Sequence, residues 1–349
     1  MLFRVAEASQ LKALFELLAQ TNTMLGPVKV ADDLGGNPVY SFEEVAEFSR
    51  LSLDYTTTRL SAKRFFLPFR EDLAVFALQG KDWSKQMDYH MDRPAVLFGL
   101  HACDINALNR LDKVLMGSDH PVPYYAAKRK NIFIIGTGCT PRPSCFCRSM
   151  GTNTVTHGFD LFVTDIGGGR LFFEIFSSEA YHVIRDLATG EPTPEDHNAY
   201  MRVETERNRK ITTTVDTTDL TKILDMEFQS PVWKTWGDKC LGCGSCASAC
   251  PTCYCYGVEE TVDPGLREAK KTRTLYSCNI VDFAEVAGGH NFRPERGTRL
   301  KYRYYHKHRG FVEAYEESLC VGCGRCGDIC LAGITVPEVI ASVRGGDPT

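Results

Sequence analysis

The sequence predicts an α/β N-terminal domain over residues 1–229 and a C-terminal α-helical dicluster ferredoxin-like domain over residues 230–349. The length of 349 residues fits two domains, because domains average ~150 residues. In the first part, short all-apolar runs alternate with helical patterns. In the second part, cysteine is concentrated: eleven of the fifteen cysteines lie in the last 110 residues. Together, these features place a mixed sheet before a metal-binding domain.

The N-terminal elements follow from apolar spacing. The runs AVLFGL (95–100) and NIFIIG (131–136) flank a helical pattern over residues 104–115, which predicts buried parallel strands in a β-α-β unit. A helix capped by Ser9 is predicted near the N-terminus. The remaining predicted elements are a β-rich pair at 65–78, a hairpin that turns at 167–169, and helices at 177–188, 193–210 and 218–228.

Composition excludes several classes of protein. The net charge of -4 and pI of 6.2 do not suit a general nucleic-acid binder. No apolar run approaches the ~18 residues of a membrane span, and the first residues lack a signal-peptide pattern, so a cytoplasmic protein is expected. Disulfides are rare in reducing compartments, and a chain of this size needs none to hold its core. Metal ligation is therefore the expected use of the cysteines.

Two cysteine motifs repeat in the C-terminal domain, as CLGCGSCASAC and CVGCGRCGDIC. Their spacing is that of 4Fe-4S cluster motifs, in which the fourth cysteine ligates the other cluster. The first predicted cluster is held by Cys240, Cys243, Cys246 and Cys330. The second is held by Cys320, Cys323, Cys326 and Cys250. Glycines between the cysteines allow backbone N–H groups to point at the sulfurs.

Zinc is the alternative ligand for such motifs, but it favours two C-x2-C pairs, and each motif here has a surplus thiolate. One departure from the ferredoxin pattern is Leu331, which stands where a second proline is expected. The 69 residues between the motifs (251–319), including VEETVDPGLREAKK, are predicted to be mostly helical.

A third 4Fe-4S cluster is predicted in the N-terminal domain. Cys103 and Cys139 each follow one of the two apolar runs, and Cys145 and Cys147 lie in the loop after the second run. If the two strands are parallel neighbours, the four thiols meet at one edge of the sheet, where α/β proteins bind ligands. Two alternatives stay open, since the spacing is no standard motif: zinc or a smaller cluster, and unligated thiols that pack as small hydrophobic groups.

Other candidate sites are weak. Cys253, Cys255 and Cys278 are too few for another all-cysteine cubane and are predicted to support the nearby clusters or to pack as buried thiols. No complete phosphate-binding loop exists for NAD or flavin, and no catalytic set of residues stands out. The basic, tyrosine-rich stretch 291–310 is predicted to compensate cluster thiolates or to dock a partner rather than to bind nucleic acid. His101 is a candidate hydrogen-bonding support for Cys103.

Several motifs together carry a resemblance to a known family. They include GLHACDINALNRLD, the loop CTPRPSCFCRSMG with GFDLFVTD after it, AGGHNFRP, and both ferredoxin motifs. Over roughly residues 60–340 the chain resembles the β (iron–sulfur) subunit of cytosolic NAD(P)-linked [NiFe] sulfhydrogenases. The related iron–sulfur subunit of anaerobic sulfite reductase has similar motifs.

The resemblance implies an electron-transfer subunit without a catalytic site of its own. It would pass electrons between a subunit that binds flavin and NAD(P) and the small and large hydrogenase subunits, or the corresponding sulfite reductase subunits. Two rival hypotheses remain: a free-standing flavin-binding iron–sulfur oxidoreductase, and a redox sensor that uses the basic stretch on nucleic acid.

Overall fold

The computed structural model describes residues 2–87 and 93–345. Its strands are β1 Leu2–Glu7, β2 Thr23–Asp32, β3 Pro38–Glu44, β4 Arg70–Gln79, β5 Asp82–Gln86, β6 Ala95–Leu100, β7 Ile132–Thr137, β8 Leu161–Gly167, β9 Arg170–Ile175, β10 Tyr256–Val262 and β11 Glu268–Leu275. Its α-helices are α1 Ser9–Ala19, α2 Ala102–Leu115, α3 Pro123–Asn131, α4 Ser178–Arg185, α5 Pro194–Arg209, α6 Leu220–Met226, α7 Val232–Lys239, α8 Ser245–Ala249, α9 Arg296–Tyr305, α10 Phe311–Tyr315, α11 Arg325–Asp328 and α12 Val336–Val343. A π-helical turn, His306–Gly310, joins α9 to α10.

A seven-stranded mixed sheet forms the N-terminal part, in the order β1-β9-β8-β7-β6-β2-β3. Its four inner strands β8, β7, β6 and β2 run parallel, and the outer strands are antiparallel to their neighbours. Strand β6 is buried along its whole length, as its uninterrupted apolar sequence predicts. The fold thus has a parallel centre covered on both faces.

The predicted β-α-β unit is present as β6, α2, α3 and β7. Leucine and isoleucine side chains of α2 pack on one face of the sheet, together with Tyr55, Phe66 and Tyr125. On the other face, α1 and α4 pack against strands β6, β7 and β9. The hairpin of β8 and β9 turns at residues 167–169, as predicted. Helices α4, α5 and α6 lie within the ranges that the sequence predicts.

Two predictions for the N-terminal part are wrong. Ser9 does not cap α1, because the cap position is taken by Ala8 and no side chain accepts a hydrogen bond there. Residues 65–78 do not form two strands. A 3-10 helix, Ala62–Phe65, precedes the single strand β4, and Phe65 and Phe66 pack into or against the core instead of alternating along a strand.

The insert between the ferredoxin motifs is not mostly helical either. The segment VEETVDPGLREAKK forms the antiparallel hairpin of β10 and β11. The turn explains the error: Asp263 accepts hydrogen bonds from the backbone N–H groups of Gly265, Arg267 and Glu268, and Leu266 has a positive φ of 50°. An Asp-Pro-Gly turn with this geometry ends a helix and closes a hairpin. The helical residues of the insert are confined to its second half, where α9 begins.

The hairpin also links the two halves of the chain. A four-stranded sheet has the order β10-β11-β4-β5, so two of its strands precede residue 229 and two follow it. The domain boundary near residue 229 stays a prediction, but the sheet crosses it. Within the described residues, no helix is long and apolar enough to cross a membrane.

Candidate metal centres

The N-terminal cysteines lie at the carboxyl edge of the parallel strands. Strands β6 and β7 are parallel neighbours, with Leu100 opposite Gly136. Cys103 lies at the start of α2, directly after β6, and Cys139 follows the end of β7. The sheet therefore brings these two thiols to the same edge, because the carboxyl ends of parallel strands meet there.

The loop after β7 adds Cys145 and Cys147 to this edge. Burial raises the pKa of Cys147 to about 12, and the charges of Cys145 and Cys139 act in the same direction. Burial also raises the pKa of Cys139 to about 11, with Cys145 contributing. Burial raises the pKa of Cys103 as well, and the charge of Cys147 adds to this effect. The four thiols predicted to hold the third cluster thus lie within electrostatic reach of one another.

Buried polar atoms beside this set lack partners. In the described residues, His101 Nε2 and Thr137 Oγ1 are buried and form no hydrogen bond. Burial lowers the pKa of His101 to about 3, helped by the Arg325 guanidinium, so its ring is neutral. Its ring stacks on Tyr55 with centroids 4.0 Å apart. An iron–sulfur cluster supplies sulfur acceptors, so these orphaned atoms fit a cluster better than four simple thiols.

The first ferredoxin motif meets the last cysteine of the second. Burial raises the pKa of Cys240, and the charges of Cys246, Cys330 and Cys243 add to the effect. The backbone N–H of Gly242 donates to Cys240 Sγ at 3.4 Å, as the glycine spacing predicts. Asn279 Nδ2 donates to Cys246 Sγ at 3.2 Å. We call the set Cys240, Cys243, Cys246 and Cys330 the first site.

The second ferredoxin motif meets the last cysteine of the first. Burial raises the pKa of Cys323 to about 12, and among the cysteines Cys250 adds most to this effect. Burial also raises the pKa of Cys326, with contributions from the charges of Cys250, Cys320 and Cys323. We call the set Cys250, Cys320, Cys323 and Cys326 the central site. The fourth cysteine of each motif thus lies within electrostatic reach of the other motif, as the crossed arrangement of dicluster ferredoxins requires.

The three sets follow one another in space. Burial raises the pKa of Cys246 in the first site, and the charge of Cys250 in the central site adds to this effect across the short helix α8. On the other side, the thiol of Cys145 lies 3.9 Å from the carbonyl oxygen of Cys323. The N–H of Phe146 donates to Gly322 O at 2.8 Å. The central site therefore lies between the first site and the N-terminal cysteines, with protein backbone in direct contact on both sides.

The closest approach between the two halves of the chain requires glycine. Gly322 has φ +65°, and a Cβ there would lie 2.6 Å from the backbone nitrogen of Cys147. Gly324 has φ +75°, and its Cβ would lie 2.5 Å from Ser144 O. Real side chains never approach backbone so closely, so both loops would have to move apart. The glycines therefore set the spacing between the central and N-terminal sites.

Alanine at Gly322 is expected to disrupt both adjoining sites. Gly333 offers a matched control, because it has the same φ of +65° and nothing within 4 Å of its Cβ. Gly333→Ala should cost only the left-handed backbone strain of about 1–2 kcal/mol and keep the iron content. Gly322→Ala adds the collision and should lose iron and melt earlier. Iron analysis and calorimetry of the two variants check this, and equal behaviour would contradict it.

Three buried cations surround the central site without an acidic partner. Arg303 Nη1 donates to Cys253 Sγ at 3.4 Å, and Lys307 Nζ donates to Thr252 Oγ1 at 2.8 Å. Lys63 Nζ reaches across from the N-terminal part to Cys253 O at 2.8 Å. All three residues are 5% exposed or less. The largest charges that favour their protonated forms come from cysteine thiolates, and none of the three forms an ion pair with a carboxylate among the described residues.

Uncompensated buried cations are costly, so this arrangement calls for an anion. A cubane bound by four thiolates is anionic and supplies it. Within residues 2–87 and 93–345, no three Cys, His, Asp or Glu side chains converge closely enough to hold a single metal ion. The thiolates of a cubane bind four separate irons and need not converge on one point. The residues present therefore fit 4Fe-4S clusters.

A buried ion pair joins the central site to the N-terminal part. Arg325, in the second ferredoxin motif, donates to both oxygens of Asp104 at 2.8 and 2.7 Å and to Thr58 O at 2.9 Å. Asp104 follows Cys103 in α2, and Arg325 precedes Cys326. The Arg325 and Asp104 side chains are 1% and 2% exposed. The pair thus holds two predicted cluster loops in register.

The three remaining cysteines lie beside the ferredoxin sites. Cys253 contacts Cys250 through a thiol hydrogen bond, and Cys255 contacts Cys278 in the same way. Neither pair is a disulfide. This placement agrees with a supporting role and gives them no fourth partner of their own among the described residues.

Sequence reasoning missed Lys63, Asp104 and Arg325 as site residues. Nothing in their local sequence marks them, since each meets its partners only through the tertiary fold. Arg303 and Lys307 had a signal: they belong to the basic stretch 291–310, and they are buried members of it that face the thiolates. Their helix widens into the π-turn at His306–Gly310, a distortion frequent at functional sites.

Comparison with known proteins agrees with this geometry. The family of 4Fe-4S dicluster domains matches residues 239–334. The chain is 40% identical over 337 residues, 95% of each chain, to the sulfhydrogenase 2 subunit beta of Pyrococcus furiosus. No solved structure matches. The dicluster match covers both cysteine motifs and the hairpin between them, while the likeness to the relative extends over 95% of the chain and so includes most of the N-terminal part.

Proposed function

The chain belongs to the family of sulfhydrogenase beta subunits, and from that premise we propose that it carries electrons through three 4Fe-4S clusters in a row. It is an iron–sulfur electron-transfer subunit. The finer proposal is that it joins a flavin- and NAD(P)-binding subunit to the small and large subunits of a [NiFe] hydrogenase. Each cluster, when bound, takes up and releases one electron.

The observation that carries the proposal is the contiguity of twelve thiols in three sets of four. The crossed use of Cys250 and Cys330 supports two cubanes in the ferredoxin part. The contact of Cys145 with Cys323 O continues the series into the N-terminal part. Phe146 and Gly322 join these two sites through a direct backbone hydrogen bond. Such a series has a use only if electrons enter at one end and leave at the other.

The protein residues supply the environment of this path. Backbone N–H groups of Gly242 and Arg142 donate to the sulfurs of Cys240 and Cys145, each at 3.4 Å, and stabilise the thiolate form. Burial raises the thiol pKa values, so loading the clusters must release protons. Cys243 is the exposed member of the twelve, which makes the first site the one open to a partner's surface.

Anaerobic co-purification with the tagged chain tests the assignment of partners. We expect a nickel-containing large subunit together with a flavin-bearing one, and we expect hydrogen or NAD(P)H to bleach the visible absorption of the clusters in that complex. A sirohaem subunit in place of nickel would instead assign the chain to a sulfite reductase-type complex. Flavin bound to the single chain without partners would show an oxidoreductase that acts alone and would overturn the proposal.

A further inference from the structure

Cations are distributed unequally among the three sites. Beside the central site, Lys307 Nζ donates to Thr252 Oγ1 at 2.8 Å, and that hydroxyl lies 3.4 Å from Cys250 Sγ. Lys63 Nζ donates to Cys253 O at 2.8 Å, and Arg303 Nη1 donates to Cys253 Sγ at 3.4 Å. None of these three cations forms an ion pair with a carboxylate among the described residues. The central site therefore faces net positive charge that no neighbouring carboxylate cancels.

The first site has less of this charge. The charge of Arg303 reaches Cys246. The hydrogen-bond donors to Cys240 and Cys246 in the described residues are neutral groups, the N–H of Gly242 and the amide of Asn279, and Cys243 is exposed to solvent. Ser245 provides a neutral hydrogen-bonding group 3.3 Å from Cys243 Sγ. Arg303 is thus shared between two sites, while Lys307 and Lys63 belong to the central one.

The N-terminal set has cations that are already paired. Arg207 places a positive charge near Cys139, but it forms an ion pair with Glu204. The negative charge of Glu204 opposes the effect of Arg207 on the pKa of this thiol. Arg325 places a positive charge near Cys103, and the negative charge of its ion-pair partner Asp104 opposes the effect of Arg325 on the pKa of this thiol. Each guanidinium therefore has a carboxylate beside it, and the pair contributes little net charge.

Reduction adds an electron to a group that is already anionic, so an uncompensated cation in contact favours the reduced form. Burial by itself opposes reduction, because it disfavours the higher charge, but the same low dielectric strengthens a contact between opposite charges. Cys243 is exposed, so the first site is less buried than the central one, and the three unpaired cations are expected to outweigh that difference. The order of the potentials should therefore follow the distribution of unpaired cations.

We propose that Lys307, Arg303 and Lys63 give the central site the highest reduction potential of the three. The inference rests on the proposed function, since it needs clusters in all three sites. Its consequence is that the first electron to enter stays in the middle of the path. A partner that carries two electrons, such as a flavin, must release them one at a time into one-electron sites, and a central holding site separates those two events.

An anaerobic redox titration of the full complex, followed by electron paramagnetic resonance, tests the order. Serine at Cys243 and, separately, at Cys139 identifies the signals of the first and N-terminal sites, which leaves the central signal assigned. We expect the central signal to be reduced first. If an outer site is reduced first, the proposal is wrong. A variant that loses only the cluster of its altered site still assigns that signal, because the missing signal identifies the site, and the order is then read from the unmodified protein.

A set of lysine variants tests the cause. Lys307→Gln should lower the reduction equilibrium constant of the central site at least tenfold, about 59 mV for one electron, and move the outer sites less. Lys307→Arg keeps the charge and should restore the potential. Lys301→Gln is the control: it removes the same charge from the neighbouring helix α9, where Nζ lies over the Phe228 ring and donates to Phe228 O. Equal shifts in the Lys307→Gln and Lys301→Gln variants would overturn the cause.

The two levels of failure are distinguishable. Iron well below about twelve atoms per chain, or fewer than three signals, counts against the proposed function. In that case the three reduction potentials that the inference compares do not exist. Three signals with the wrong order, or an unmoved central signal in Lys307→Gln, counts against the inference alone.

Discussion

Serine at both Cys139 and Cys147 is expected to lower the iron content from about twelve to about eight atoms per chain. Each serine removes a thiolate from the N-terminal set, and two lost ligands leave too few to hold a cubane. The ferredoxin sites should remain, because none of their ligands changes. Anaerobic iron and labile-sulfide analysis measures the loss, and one resonance signal should disappear with it. Of the variants proposed here, this one is expected to change the iron content most.

The control uses a cysteine that is buried but belongs to no set. Cys278→Ser removes a buried thiol, and the variant should keep about twelve irons. If the unmodified chain holds only about eight irons, or if both variants lose iron equally, the N-terminal cluster does not exist. Retention of zinc at that place would support the alternative that the sequence left open.

The sequence was sufficient for the central β-α-β unit, and for a physical reason. Strands β6 and β7 are buried on both faces, so their sequences are continuous apolar runs that only one kind of element explains. The positions of Cys103 and Cys139 then follow from parallel strand order alone. The comparison with the dicluster family supports the ferredoxin clusters on the same basis, because ligand spacing is a local property of sequence.

The hairpin of β10 and β11 shows where a local pattern is insufficient. Strand β10 is mostly exposed and β11 is mostly half-buried, and their many polar residues suit a helix as well as a strand. What decides between them is distant: Thr272 donates to Asp72 at 2.7 Å, and Arg273 pairs with Glu71, both on β4. The partner strand lies about two hundred residues away in sequence, so no local pattern contains the information.

The burial of Lys63 could not be predicted from the sequence for a related reason, whereas Arg303 and Lys307 belong to the basic stretch that the sequence predicts to compensate cluster thiolates. Lys63 lies in a short 3-10 helix that gives no sign of burial, and its carbonyl acceptors are Ala247 and Cys253. A lysine is normally expected at the surface, and only an anion close by makes its burial tolerable. A residue that compensates the charge of a cofactor can thus be recognised only when the tertiary structure shows where the cofactor's ligands lie.

Methionine at Arg325 is expected to be the most destabilising single substitution near the sites. It leaves the Asp104 carboxylate buried without its partner, and removal of one member of a buried pair costs about 3–5 kcal/mol. The surroundings worsen the loss, because Asp104 lies among the thiols of Cys103 and Cys139. Anaerobic calorimetry at one fixed scan rate should show the melting temperature fall by about 5 °C or more.

The opposite truncation should be milder, and that asymmetry is the sharper test. Asp104→Asn leaves the Arg325 guanidinium unpaired, but Thr58 O still accepts from it and the Cys323 thiolate lies close by. Asn also keeps an acceptor oxygen for the guanidinium. The double variant should lose less than the sum of the two, as expected of a coupled pair. As a control, Lys222→Gln breaks an exposed ion pair with Asp219 and should leave the melting temperature unchanged. If Asp104→Asn proved as harmful as Arg325→Met, the expectation that these surroundings tolerate an unpaired guanidinium better than an unpaired carboxylate would be wrong.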